Sequence, residues 1–239
     1  MKRILIIVVV TIGCVLVAAS FLYFHSPAEN PVLPAAPAPV IDMAGLKAKA
    51  EQGDAQAQTQ LAKAFADGQG LPRDYKQAAR WFGQAASNGN SEAEAMLGEL
   101  CQAGQGVPHN LTNAVKWFTK AAQEGSTTAQ YDLGFMYERG QGVPHDEKLA
   151  AHWYQLAAEG GDALAQFDYG QRCFIGLGVP LDQVEGLKWM FIAAGQGQPD
   201  SGKRGELEQK KMNSGQIAEA KRRAAAFTPR RAARASNKP

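Results

Sequence analysis

The four tryptophans of this 239-residue sequence are Trp81, Trp117, Trp153 and Trp189, each 36 residues after the last. The same step links Gly70, Gly106, Gly142 and Gly178. It also links Pro72, Pro108, Pro144 and Pro180, and the alanine pairs at 85–86, 121–122, 157–158 and 193–194. A period of this length, kept without insertion, predicts one supersecondary unit stacked on copies of itself. The units fall at 53–88, 89–124, 125–160 and 161–196.

Each unit reads as two helices. In the first, Ala57, Leu61 and Phe65 recur as Ala93/Leu97/Cys101, Ala129/Leu133/Tyr137 and Ala165/Tyr169/Cys173. A spacing of four puts them on one buried stripe. A Gly-x-Gly-x-Pro segment follows, its first glycine suited to a left-handed helix end and its proline barring continuation. Asp74, Asn110, Asp146 and Asp182 then stand where the second helix needs an N-cap. Asp74 with Gln77, and Asp182 with Glu185, have capping-box spacing. Ala78, Trp81, Phe82, Ala85 and Ala86 give the second helix small residues for close approach and an aromatic pair to fill the core. Met43–Gly53 is in phase with a second helix. Gly205–Met212 reads as a further first helix and Ser214–Phe227 as a terminal cap, so the stack occupies 43–227 with its cap at 197–227.

The N-terminal residues follow different physics. Lys2 and Arg3, in a short cytoplasmic stub at 1–3, precede an uncharged apolar run from Ile4 to Phe24. At ~1.5 Å per residue that run matches a bilayer core of about 30 Å, so 4–24 is expected to be a transmembrane signal-anchor. A cleaved signal peptide is the alternative. No Lys or Arg lies between His25 and Leu46, and the positive-inside rule puts the stack outside the cytoplasm, periplasmic or extracellular. Residues 25–42 read as a Pro/Ala-rich spacer. Cys14 is read as a small apolar residue of the span.

The repeats resemble the Sel-one-like repeat family, relatives of the tetratricopeptide repeats. The matching residues are the A-x3-L-G-x2-Y, G-x-G-V-x2-D and W-[YF]-x-K-A-A patterns, clearest from Ala129 to Gly160. Ala62, Tyr169 and Met190 depart from them. The resemblance implies an all-α fold, a right-handed α/α superhelical solenoid that recruits proteins. It does not identify the partner. Some relatives are cysteine-rich hydrolases, but this chain lacks that paired-cysteine framework.

The sequence offers little chemistry beyond this. The Gly-x-Gly-x-Pro copies follow no strand and lack Lys-Ser/Thr, so they are helix terminators, not phosphate loops. His109 and His145 share a loop slot without a third ligand. Cys101 and Cys173 occupy core slots two repeats apart, too far for a disulfide. Catalytic, cofactor and metal residues are therefore not assigned. The charge is divided: residues 53–200 carry 10 Lys and Arg against 17 Asp and Glu, whereas 201–239 carry 11 against 3. Residues 228–239 read as a basic disordered tail. A position outside the cytoplasm favours anionic envelope polymer over nucleic acid as a contact for that tail.

Comparison between repeats points to a binding face. Opposite the stripe of the third repeat stand Thr128, Tyr131, Asp132, Phe135, Glu138 and Arg139. In the fourth stand Leu164, Phe167, Asp168, Gln171, Phe174 and Ile175. Six of these twelve are large hydrophobes, whereas the first repeat is polar there. Tyr131, Phe135, Arg139, Leu164, Phe167, Gln171 and Phe174 are the partner-binding candidates, with Phe135 and Phe174 expected to be exposed. A Tyr131–Phe167 stack is the competing core reading. Trp81, Trp117, Trp153, Trp189, Leu61, Leu97, Leu133 and Tyr169 are assigned to the structural core. Three functions follow: an adaptor binding a protein or peptide, an envelope hydrolase, or a tail-driven polymer binder.

Overall fold

A computed structural model describes residues 42–230. The expected membrane span at 4–24, the spacer up to residue 41 and tail residues 231–239 lie outside the described residues. Among those described, no helix is long and apolar enough to cross a membrane.

The described chain is an all-helical solenoid of eleven helices, without strands among the described residues. Helix α1 (Met43–Glu51) precedes four helix pairs: α2 (Ala55–Asp67) with α3 (Tyr75–Ser87), α4 (Ser91–Ala103) with α5 (Leu111–Gln123), α6 (Thr127–Arg139) with α7 (Glu147–Glu159), and α8 (Ala163–Ile175) with α9 (Gln183–Gly195). From α1 to α10 each helix packs on the next. The last two, α10 (Pro199–Gln209) and α11 (Ser214–Ala225), both pack on α9, so α11 folds back over the final repeat.

The helix ends explain the constant period. Gly68, Gly104, Gly140 and Gly176 close the first helices in the left-handed conformation. Asp74, Asn110, Asp146 and Asp182 cap the second helices with their side chains. The spacing at Asp74/Gln77 and Asp182/Glu185 does not produce capping boxes. The backbone N–H that a reciprocal side chain would satisfy already donates to the preceding first helix, at Phe65 O for Asp74 and Cys173 O for Asp182, both at 2.9 Å. Glu185 instead accepts from Trp189 Nε1 at 2.8 Å and Lys188 Nζ at 2.7 Å. A reciprocal box forms at Asn213 and Gln216. Helix α10 begins at Pro199, earlier than the expected Gly205, because Gln198 caps it and proline suits the first helical position.

Leu61, Leu97, Leu133 and Tyr169 are buried, as are Trp81 and Trp189. Trp117 and Trp153 are only half-buried. They lean back onto the preceding repeat's core, and the fully enclosed aromatics are their neighbours Phe118 and Tyr154. Cys101 and Cys173 are free and buried.

A buried glutamine ladder joins the repeats. Nε2 of Gln58, Gln130 and Gln166 donates to Ala50 O, Ala122 O and Ala158 O at 3.0, 3.1 and 3.2 Å. Each link ties a first helix to the end of the previous second helix. The equivalent residue in the second repeat is Glu94, fully buried, and a carboxylate cannot donate to Ala86 O. Lys120 takes over: its ammonium pairs with Glu94 and donates to Ala86 O at 3.4 Å.

Candidate functional site

The first helices α6 and α8 carry the predicted face. Tyr131 and Phe135 are half-buried on α6, and Arg139 is exposed with its guanidinium 5.5 Å from the Phe135 ring. On α8, Leu164 is 52% exposed, whereas Phe167 and Gln171 are half-buried. Phe174 differs from expectation: it is buried. Its ring lies against Gly186 of α9, where an added Cβ would be 3.0 Å away, and it joins Leu187, Met190 and Ala220 in a core that α11 covers. The helical wheel placed it correctly on α8 but held no information about α11 returning over that end. The Tyr131–Phe167 stack of the competing core reading is also replaced. Tyr131 packs tilted on Tyr154 with ring centroids 5.4 Å apart, and Phe167 joins the core around Phe174.

Two polar systems missing from the sequence reading share this region. The first is centred on Arg172, which is 5% exposed. Its Nη1 donates to Glu147 Oε2 at 2.5 Å and its Nη2 to Glu138 Oε2 at 2.6 Å. Tyr154 also donates to Glu138 Oε2, at 3.0 Å, and the guanidinium lies 5.0 Å from the Tyr154 ring. The equivalent slots hold Met136, Leu100 and Ala64. The signal was a lone arginine in an otherwise apolar column.

The second system is acidic. Asp132 and Asp168 occupy equivalent slots of α6 and α8. Asp168 accepts the Tyr131 hydroxyl at 3.1 Å. Burial, followed by the carboxylates of Glu99 and Asp162, pushes Asp132 up to about 7. Burial likewise raises Glu99 and Asp168, although Lys63 opposes this at Glu99 and the Tyr131 bond and Arg172 oppose it at Asp168. Tyr131 is raised above the usual phenol range by burial and by Asp168. This face therefore sets carboxyl groups that hold their protons more tightly than usual beside aromatic rings.

The ionisation of Asp132 should be visible in stability. The folded chain binds its proton more tightly than the unfolded chain, so this group's contribution declines from about pH 4 to about pH 7 and stays low above that. Asp132→Asn is expected to flatten the decline and stabilise the chain at pH 8 by on the order of 1–2 kcal/mol, discounted for partial solvent access. Urea midpoints from pH 5 to 8 measure this. Equal pH slopes in both proteins would refute it.

His109 and His145 are exposed and act locally, their Nδ1 atoms 2.7 and 2.8 Å from Gln102 O and Glu138 O at the ends of the first helices. Among the described residues, no cluster of three or more His, Cys, Asp or Glu forms a metal-binding arrangement. A cleft of about 490 Å³ lies at the opposite end, between α1, α2 and α3, lined by residues including Met43, Phe65 and Trp81. It does not coincide with the aromatic face.

The family model described as Sel1 repeat matches residues 55–90, 91–126, 127–162 and 163–198. Among solved structures, the chain is similar to a protective antigen of uropathogenic Escherichia coli strains displaying an SLR fold. The identity is 30%, with 82% of this chain and 44% of that chain covered, at a TM-score of 0.69. It is also similar to a Sel1 repeat protein from Oxalobacter formigenes, at 34% identity, with 70% of this chain and 48% of that chain covered, at a TM-score of 0.65. The chain thus matches just under half the length of these two structures. No curated protein matches the chain.

Proposed function

This chain belongs to the Sel1 repeat family, and we propose that it is an adaptor holding a protein or peptide partner against the first-helix face of its third and fourth repeats. Solenoids of this family generally serve protein–protein interaction. The finer reading is a right-handed superhelix with that face concave, held outside the cytoplasm by residues 4–24. It requires no catalysis. Contact between the basic tail and anionic polymer would be secondary.

The observation that carries the reading is that Tyr131 and Phe135 on α6 and Leu164 and Phe167 on α8 all keep solvent contact, Leu164 exposed and the three aromatics half-buried. The equivalent slots of the first repeat hold the polar residues Gln56, Thr59, Gln60 and Lys63, of which Thr59 is buried. Aromatic side chains that keep one edge wet are typical anchors for a partner.

Crosslinking and affinity capture from cells should compare the wild type with Phe135→Ala and Leu164→Ser, each checked for unchanged helical circular dichroism. A specific partner reduced at least tenfold in both variants is expected. A partner retained fully by both, or no partner in any sample, would contradict the reading.

A further inference from the structure

The loops that join first to second helices differ at three slots. In the fourth repeat these slots hold Ile175, Leu177 and Leu181, which are 61%, 38% and 63% exposed. The first repeat has Asp67, Gln69 and Arg73 there, the second Ala103, Gln105 and His109, and the third Arg139, Gln141 and His145. A large hydrophobe stands in these slots only in the last loop.

The three side chains do nothing for the loop that carries them. In the other repeats the third slot binds the end of the first helix: Arg73 Nη2 donates to Asp67 O at 3.3 Å, and the two histidines engage Gln102 O and Glu138 O. Leu181 can make no such bond. Backbone bonds hold the fourth loop instead. Gly176 N and Leu177 N donate to Arg172 O at 2.8 and 3.1 Å, and Asp182 N donates to Cys173 O at 2.9 Å. Exposed aliphatic residues gathered on one turn, without a task in the fold, mark a contact surface.

Positive charge lies beside this turn. Helix α11 packs over Phe174, the neighbour of Ile175, and approaches its end with the exposed residues Lys221, Arg222 and Arg223. Arg223 Nη1 is 3.4 Å from Glu185 Oε2, in the first turn of α9 just after the loop. Glu219 accepts from both arginines. The excess of cations remains: residues 201–230 carry eight Lys and Arg against three Glu.

We infer that the fourth loop is a membrane-surface contact, with Ile175, Leu177 and Leu181 entering the interface of an anionic bilayer and the basic end of α11 meeting lipid phosphates. A hydrocarbon layer takes up aliphatic side chains without shape complementarity, so a small apolar tip suffices when cations flank it. A second copy of the chain fits less well. A stable protein interface places about 20–30 residues on each side, and a two-fold contact through this loop would bring two basic caps together. The bilayer contact is reversible and screened by salt. It leaves the face of α6 and α8 to a protein partner.

The test reads the loop itself and needs no protein partner, so its failure and that of the adaptor reading are distinguishable. In full-length Cys14→Ser chain, an environment-sensitive fluorophore is placed on Leu177→Cys or, as control, on Gln105→Cys, the same slot of the second repeat. Cys101 and Cys173 are buried. Each chain is mixed with vesicles of phosphatidylcholine and phosphatidylglycerol, or of phosphatidylcholine alone, bearing a quencher on the acyl chains. On the anionic vesicles, quenching at position 177 is expected to exceed that at position 105 by roughly fivefold or more, and to fall by a similar factor on the neutral ones. Ile175→Gln/Leu181→Gln should remove the difference between the two positions while helical circular dichroism is unchanged. Equal quenching at both positions, or at position 177 on both kinds of vesicle, would overturn the inference. So would emission at position 177 that changes with protein concentration in the absence of vesicles, the sign of a second copy seated on the loop.

Discussion

Gly178→Ala is expected to destabilise the fourth repeat by about 3 kcal/mol or more, one of the two largest effects anticipated for a single substitution. Gly178 has φ +74°, and an added Cβ would fall 2.1 Å from Glu147 O and 2.6 Å from Glu147 C. The obstacle is backbone at the start of α7, the second helix of the preceding repeat, so no rotamer change can relieve it. Gly106 makes the same approach to Tyr75 O, also at 2.1 Å. The recurring second glycine of the loop is therefore an inter-repeat contact as well as a turn residue. Gly83→Ala is the control. Gly83 lies within α3 with nothing within 4 Å of an added Cβ, so the substitution should stabilise the chain by about 0.5–1 kcal/mol. Urea unfolding read by circular dichroism, with hydrogen exchange to localise the change, measures both. A Gly178→Ala chain as stable as wild type would refute the contact.

Arg172→Met is expected to cost about 3–5 kcal/mol, the range for removing one partner of a buried ion pair. Methionine fills the slot with the residue that the third repeat places there, Met136. The loss therefore comes chiefly from charge. Glu138 and Glu147 would be left beside each other at the joint between the third and fourth repeats, with the guanidinium gone from both. Adding Glu138→Gln and Glu147→Gln to Arg172→Met should recover most of the stability, since the unpaired charges disappear. Failure of this rescue would show that packing of the arginine stem, rather than pairing, dominates.

The periodic part of the architecture could be read from the sequence. The 36-residue step gave the helix pairs, the caps at Asp74, Asn110, Asp146 and Asp182, and the buried positions of Leu61, Leu97, Leu133 and Tyr169. These features depend on local sequence and nearest-neighbour stacking, which a repeat displays several times over. Features that break the period were harder to see. Phe174 lies on the expected helix but is covered by α11, a contact that no periodic argument supplies. Arg172 stands alone in an apolar column, and its role depends on two glutamates in the preceding repeat. The glutamine ladder was visible in principle at 58, 130 and 166, with Glu94 marking the rung where a lysine replaces the donor. Spacing suggested the capping boxes at Asp74 and Asp182. They fail because those N–H groups are already used between helices.

The central claim is that the partner meets the face formed by α6 and α8. The most direct measurement places a photo-crosslinking amino acid at position 135 and, in a second chain, at position 87. Phe135 lies on the proposed face, whereas Ser87 is exposed at the end of the second helix α3. Irradiation in cells should yield a discrete adduct from position 135, identifiable by mass spectrometry, and none of that mass from position 87. The same adduct from both positions, or an adduct from position 87 alone, would contradict the account.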